Sequence, residues 1–210
     1  MQKLLILSDA DVEATCDGMS VLSRVCSDRF YFSVEKAKLL IDTGAELDTP
    51  STKDGATPLM CALKVKNFEA AQLLINQGVD VNAARTSDGM TVLALAVLDE
   101  EVDYDTIQLL LEKGANVNTA NSKGITPLMY ACMKGHLEVA WLLIDKGANV
   151  NALASRSTTA LMYASSGDRK KKLAVVQLLL SKGADKKVKN HLGQTAFQQA
   201  TLPEIKNALK

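Results

Sequence analysis

One stretch, "GITPLMYACMKGHLEVAWLLIDKGANVN" from Gly124 to Asn151, recurs in altered form along nearly the whole 210-residue chain. Copies begin at Gly18, Gly55, Gly89, Gly124, Ser157 and Gly193, at spacings of 37, 34, 35, 33 and 36 residues. A period of that size marks a chain built from one supersecondary unit used many times. A single unit cannot bury its own apolar face, so neighbours must stack to make a continuous core.

The unit reads as two helices and a turn. Thr57, Thr91, Thr126 and Thr159 each precede a helical pattern, where a hydroxyl can accept from the unpaired N–H groups of the first turn. Pro58 and Pro127 follow at the first helical position, where a missing N–H costs nothing. Leu128, Ala131 and Cys132 then form an apolar stripe at i, i+3 and i+4. Gly135 breaks that helix. "HLEVAWLLIDK" makes a second one, and Gly147 is placed to close it in a left-handed conformation. "ANVNALASRS" is short and turn-rich and reads as a hairpin.

Composition agrees with helices. Apolar residues make up 47% of the chain but aromatics only 4%, so the core must be Leu, Ile, Val, Ala and Met, which suits close-packed helices better than a β-sandwich. Cys16, Cys26, Cys61 and Cys132 form no CxxC pair, which points to free thiols in a reducing, cytoplasmic setting. The apolar run near Met1 is only four residues long, too short for a signal-peptide core, and nothing in the chain is long and apolar enough to span a bilayer.

The recurring T-P-L-x-x-A and L-L-x-x-x-G-A-x-V-N segments resemble the ankyrin-repeat family. The resemblance implies an all-α repeat solenoid of stacked helix-turn-helix units joined by β-hairpin-like loops. It implies one ankyrin-repeat domain over residues 1–210. A partial repeat would occupy 1–17, repeats would start near 18, 55, 89, 124 and 157, and a capping repeat would occupy 191–210. The sequence departs from the family pattern in three ways. The histidine of the first helix is absent, with Met60, Ala94, Met129, Met162 and Gln198 in its place. "SDRFYFSVE", "DEEVDYD" and "GDRKKK" lengthen three inter-helix turns, all expected on one edge. The first residues begin in mid-repeat, so either the chain is part of a longer protein or its "LLIL" face is covered by something else. At the other end, polar Gln198, Gln199 and Lys206 suit a cap, and Pro203 opens a short last helix.

Cys132, His136 and Glu138 fall within seven residues and raise the question of a reactive or metal-binding site. Each has a structural reading. Cys132 aligns with Leu63, Val97 and Ser165 at an inward position, and His136 aligns with Asn67 where it can cap or bridge backbone groups. Glu138 lies in a first turn, where the helix dipole favours a carboxylate. The chain has no phosphate-binding glycine loop, HExxH, GxSxG or calcium-loop motif, so the sequence predicts a non-catalytic protein without metal or cofactor.

A protein partner is the remaining expectation. Helical spacing turns Tyr130, Met133 and Lys134 away from the core stripe, towards the concave groove by which ankyrin relatives grip partners. Lys64, Leu98 and Tyr163 fall at related positions, and the hairpin tips carry Lys53, Asp54, Arg85, Ser87, Asn121, Lys123 and Arg156. The two tyrosines could instead pad the layer of first helices. Trp141 replaces the Lys38, Gln72, Gln108 and Gln177 of other repeats and should face solvent. Phe30, Tyr31 and Phe32 either cover the neighbouring turn or stand as an edge contact.

Net charge is zero, yet residues 1–105 hold 9 basic and 18 acidic side chains and residues 106–210 hold 15 and 6. That asymmetry predicts a partner of complementary polarity, with weak head-to-tail self-association as the competing outcome. A recruiting domain of a longer enzyme or bacterial effector is the alternative to a free-standing module. "RKKK" and "KKVKN" lack the interleaved aromatics of a nucleic-acid surface. The resemblance also marks Asn82, Asn118 and Asn151 as candidate hydroxylation sites in a eukaryotic host.

Overall fold

The structure, a computed structural model, describes residues 15, 16, 18–51, 53–101, 103–167 and 171–210. The "LLIL" segment lies outside the described residues. Twelve helices run through the described part. They are α1 (Val21–Cys26), α2 (Val34–Asp42), α3 (Pro58–Lys64), α4 (Phe68–Asn76), α5 (Val92–Leu98), α6 (Tyr104–Glu112), α7 (Pro127–Lys134), α8 (Leu137–Asp145), α9 (Ala160–Ser165), α10 (Lys172–Ser181), α11 (Ala196–Gln199) and α12 (Pro203–Leu209). They fall into pairs, one pair for each repeat from residue 18 onward, as the period demands.

The threonine caps form as the sequence predicts. The hydroxyl of Thr57 accepts from Met60 N–H at 3.4 Å, Thr91 from Ala94 at 3.2 Å, Thr126 from Met129 at 3.4 Å and Thr159 from Met162 at 3.3 Å. In the last repeat Gln198 reaches back to complete a capping box with Thr195, its Oε1 accepting from Thr195 N–H at 2.8 Å. Pro58 and Pro127 occupy first-turn positions, and Gly135 closes α7 at φ 76°.

The hairpin-like connectors are nearly all turn. β1 (Thr15–Cys16) and β2 (Met19–Ser20) pair antiparallel over two residues each. Two further connectors keep only single bridges, Ala84 to Thr91 and Ala154 to Thr158. A one-turn 3₁₀ helix at Ser155–Ser157 fills the second of these, with Arg156 at φ 62°.

The chain forms two compact units. The first holds residues up to Leu95 together with Gln108–Ala115, and the second holds Ala96–Ile107 and Asn116–Lys210. Within the first unit α1 packs on α3 and α2 on α4, so first helices stack on first helices and second on second. Its core includes Leu22, Ala37, Leu59, Ala62, Leu74 and Ile75, all buried. The second unit repeats the arrangement, with α7, α9 and α11 in one layer and α8, α10 and α12 in the other. Leu128, Ala131, Cys132, Leu143, Leu161, Val176 and Ile205 fill the space between. Alanines at the contact positions let the helices approach closely, and stacking alone removes these side chains from water at about 25 cal/mol per Å².

Candidate partner-binding surface

The three residues that suggested chemistry sit in three separate environments. Cys132 is completely buried between helices, and burial pushes its thiol pKa up, so thiolate is disfavoured. Cys26 is also completely buried, and burial raises its pKa to about 12. His136 stands at the start of α8 without capping it, and its Nε2 reaches the carbonyl of Asp99 at 2.8 Å. A carbonyl can only accept, so Nε2 carries the proton. Glu138 faces solvent on the outer side of α8. No group of three metal-ligating side chains converges among the described residues.

His136 and Asn67 hold the same repeat position and share one task. Each bridges back to the turn of the preceding repeat. Asn67 Nδ2 donates to Cys26 O at 3.1 Å, while its Oδ1 accepts from Ala70 N–H at 3.2 Å and caps α4. The lengthened turns are therefore anchor points for the next helix pair. In the second unit Asp99 and Glu100 on one side and Lys171 on the other border the same α7–α8 junction. Lys134 Nζ meets Glu100 at 3.0 Å on one side, and a Cβ on Gly135 would come within 3.0 Å of the Lys171 side chain on the other.

The predicted groove residues separate. Tyr130 departs from the expectation. It is 6% exposed, and its hydroxyl oxygen accepts from Asn121 Nδ2 at 2.9 Å. Buried and held by Asn121, Tyr130 pads the layer of first helices. Tyr163, at the same repeat position, is half-buried and borders an open polar cleft of about 470 Å³. Thr158, Ser166, Gln194, Gln198 and Gln199 line that cleft with it. The facing helix, α11, is only four residues long and leaves the tyrosine uncovered. Leu98, Met133 and Lys134 are half-buried, and Lys64 is exposed.

The tips divide in a similar way. Lys53, Ser87, Lys123 and Arg156 are exposed. Asp54, Arg85 and Asn121 hold the turns together. Asp54 Oδ1 accepts from Ala56 N–H at 3.1 Å, Arg85 pairs with Asp88 at 2.6 Å, and Asn121 Oδ1 accepts from Lys123 and Ile125 N–H at 2.9 and 3.0 Å. Within each unit backbone bonds stitch successive tips. Ser87 N–H donates to Asp54 O at 3.3 Å, Ser155 to Lys123 O at 2.8 Å and His191 to Arg156 O at 3.0 Å. Within each unit the exposed charged and hydroxyl side chains thus stand on tips joined by backbone hydrogen bonds.

The candidate hydroxylation asparagines are cross-links. Asn82 Nδ2 donates to Gly114 O at 3.1 Å, Asn118 to Gly147 O at 3.0 Å and Asn151 to Gly183 O at 3.0 Å. Each satisfies the carbonyl of the glycine that ends the next repeat's second helix. Lys172, in the basic turn, is buried, and its Nζ donates to Tyr163 O and Ser166 O at 3.2 and 2.6 Å. The adjoining 168–170 lie outside the described residues, so Lys171 is the exposed cation of this turn that the structure places.

Phe30 and Tyr31 do not cover the neighbouring turn. They are 89% and 80% exposed, on a turn that Asp28 Oδ1 fixes by accepting from both their N–H groups. Trp141 is half-exposed, as its polar equivalents predict. With Tyr104, Leu137 and Glu138 it lines an outer cleft of about 370 Å³ that sequence reading did not assemble. The only signal was one tryptophan at a position of glutamines and lysine.

A helix-pair repeat with this spacing, these caps and these turns defines a stacked helical-repeat protein. The chain belongs to the ankyrin-repeat family: the profile for ankyrin repeats in three copies matches residues 1–85, 32–121, 67–154 and 93–190. It is 37% identical over 101 residues to "Ankyrin repeat, SAM and basic leucine zipper domain-containing protein 1" of Notamacropus eugenii, covering 48% of this chain and 21% of that protein. The protein of the same name from Mus musculus is 36% identical over 107 residues, covering 50% of this chain and 22% of that protein. The chain thus spans about a fifth of the length of these relatives. The crystal structure of the ankyrin repeat domain of Bcl-3 superposes with a TM-score of 0.80 at 26% identity, covering 99% of this chain and 89% of that one. Ankyrin repeats are non-catalytic modules for protein–protein interaction. No helix among the described residues is long and apolar enough to cross a membrane.

Proposed function

We propose that this chain is a scaffold that binds a protein partner through the concave face of its first helices and its hairpin tips. The observation that carries the reading is the exposed tip side chains, Lys53 and Ser87 in the first unit and Lys123 and Arg156 in the second, each pair on tips that are hydrogen-bonded to one another within its unit. A surface fixed before binding loses little entropy when a partner docks. The cleft beside Tyr163 supplies hydroxyl and amide groups for the same partner. The charge asymmetry between residues 1–105 and 106–210 favours a partner of complementary polarity. Buried thiols at Cys26, Cys61 and Cys132, none in a disulfide, support a reducing cytoplasmic setting.

A second reading is favoured by the relatives. Because the chain spans only about a fifth of them, it can be the recruiting segment of a longer multidomain protein. Both readings place the partner on the same surface. Affinity capture with mass spectrometry identifies that partner. A triple variant, Lys123→Glu with Arg156→Glu and Tyr163→Ala, should then lose it while keeping the wild-type melting curve. Retention of the partner by the folded triple variant would refute the assignment.

A further inference from the structure

We infer that the outer face of the second unit carries a separate docking site for a basic peptide segment, led by an arginine laid over Trp141. Trp141 and Leu137 lie on one face of α8, four residues apart, with Glu138 beside them. Tyr104 occupies in α6 the repeat position that Leu137 holds in α8. The four side chains line a cleft of about 370 Å³. Trp141 keeps half its surface in water and Leu137 keeps 40%. At the tryptophan's position the other repeats have Lys38, Gln72, Gln108 and Gln177, so the fold has no need of an indole there.

Charge decides the occupant. Glu138 lines the cleft, Asp145 follows Trp141 by four residues on α8, and Asp105 follows Tyr104; all three carboxylates are exposed. Lys134 is held by Glu100, and Lys171 acts on His136 at the helix start. An aromatic face framed by carboxylates repels phosphate and acidic peptides and attracts a cation that can also stack. Guanidinium does both, lying over the indole while its N–H groups meet a carboxylate. An aliphatic neighbour of that arginine fits against Leu137. This surface is distinct from the groove and tips, so the two readings can fail independently.

The chain has a single tryptophan, so Trp141 reports on its own site. The whole chain is titrated with a fluorescein-labelled hexapeptide of alternating Arg and Leu, and with the Glu–Leu and Lys–Leu counterparts. Saturable binding of the Arg peptide is expected, with a change in Trp141 emission, weaker binding of the Lys peptide and none of the Glu peptide. Trp141→Gln installs the residue that three other repeats use, so the fold is kept. It and Glu138→Gln should each weaken binding by about five- to tenfold. Tyr163→Ala, in the groove, should leave it unchanged. The inference is overturned if Trp141→Gln binds as tightly as wild type, if the Glu peptide binds equally well, or if nothing saturates. It is equally overturned if Trp141 emission shifts with protein concentration alone and sedimentation shows a dimer, since a second copy would then be the occupant.

Discussion

His136 shows how one residue can look catalytic and be structural. Burial lowers its pKa below the ordinary 6.5, with Lys171 acting in the same direction and the Asp99 carbonyl opposing. The unfolded chain therefore takes up the proton more readily than the folded one. The stabilisation is complete above 6.5 and is lost as pH falls through the lowered folded value. Melting temperature should drop as pH falls below the ordinary 6.5, and His136→Asn should flatten that slope. Asparagine at this position can keep the bridge and add a cap, as Asn67 does by bridging to Cys26 O and capping α4. A slope unchanged in the variant would assign the pH effect to another group. The sequence correctly suggested a capping or bridging histidine. It could not show which backbone group the ring reaches, because Asp99 lies 37 residues away.

At the scale of elements, the unit was legible from its punctuation. Threonine caps, first-turn prolines and closing glycines fall where the sequence places them, because each answers a local backbone demand. Gly55 and Gly78 show how far the demands differ. Both take positive φ, 73° and 87°. A Cβ on Gly55 would meet the backbone nitrogen of Thr86 at 2.8 Å, whereas one on Gly78 meets nothing within 4 Å. Gly55→Ala should therefore cost clearly more than the roughly 1–2 kcal/mol of αL strain expected for Gly78→Ala, as measured by urea unfolding. Equal losses would mean that the 53–55 tip yields freely.

The asparagine ladder gives a second test at this scale. Asn118 also accepts from Asn149 N–H at 2.8 Å, so Asn118→Ala removes two inter-repeat bonds and should cost about 1–2 kcal/mol. A neutral substitution would show that water replaces both. Helical spacing was a poorer guide to exposure. It turned Tyr130 and Tyr163 alike from the core stripe, but neighbours decide what lies over each ring. Asn121 and close-packed helices cover Tyr130, while the short α11 leaves Tyr163 open.

For the molecule as a whole, the period alone prescribed the architecture, since a repeat that cannot bury its face must stack. The outer cleft was not legible, because Tyr104 and Trp141 come from different repeats and meet only once two second helices lie side by side. The charge asymmetry carries a kinetic prediction. Lys123→Gln with Arg156→Gln and Lys171→Gln should slow association with the partner at low salt and flatten its salt dependence, with less change in dissociation. An association rate equal to wild type at low salt would remove steering from the account. The central claim is that the tips and the groove form the binding surface. Hydrogen–deuterium exchange of the full chain, with and without the captured partner, tests it most directly. Protection should appear at residues 53–55, 85–89, 121–124 and 155–158 and through the segment holding Tyr163. Protection confined to the outer second helices, with the tips exchanging as in the free chain, would contradict it.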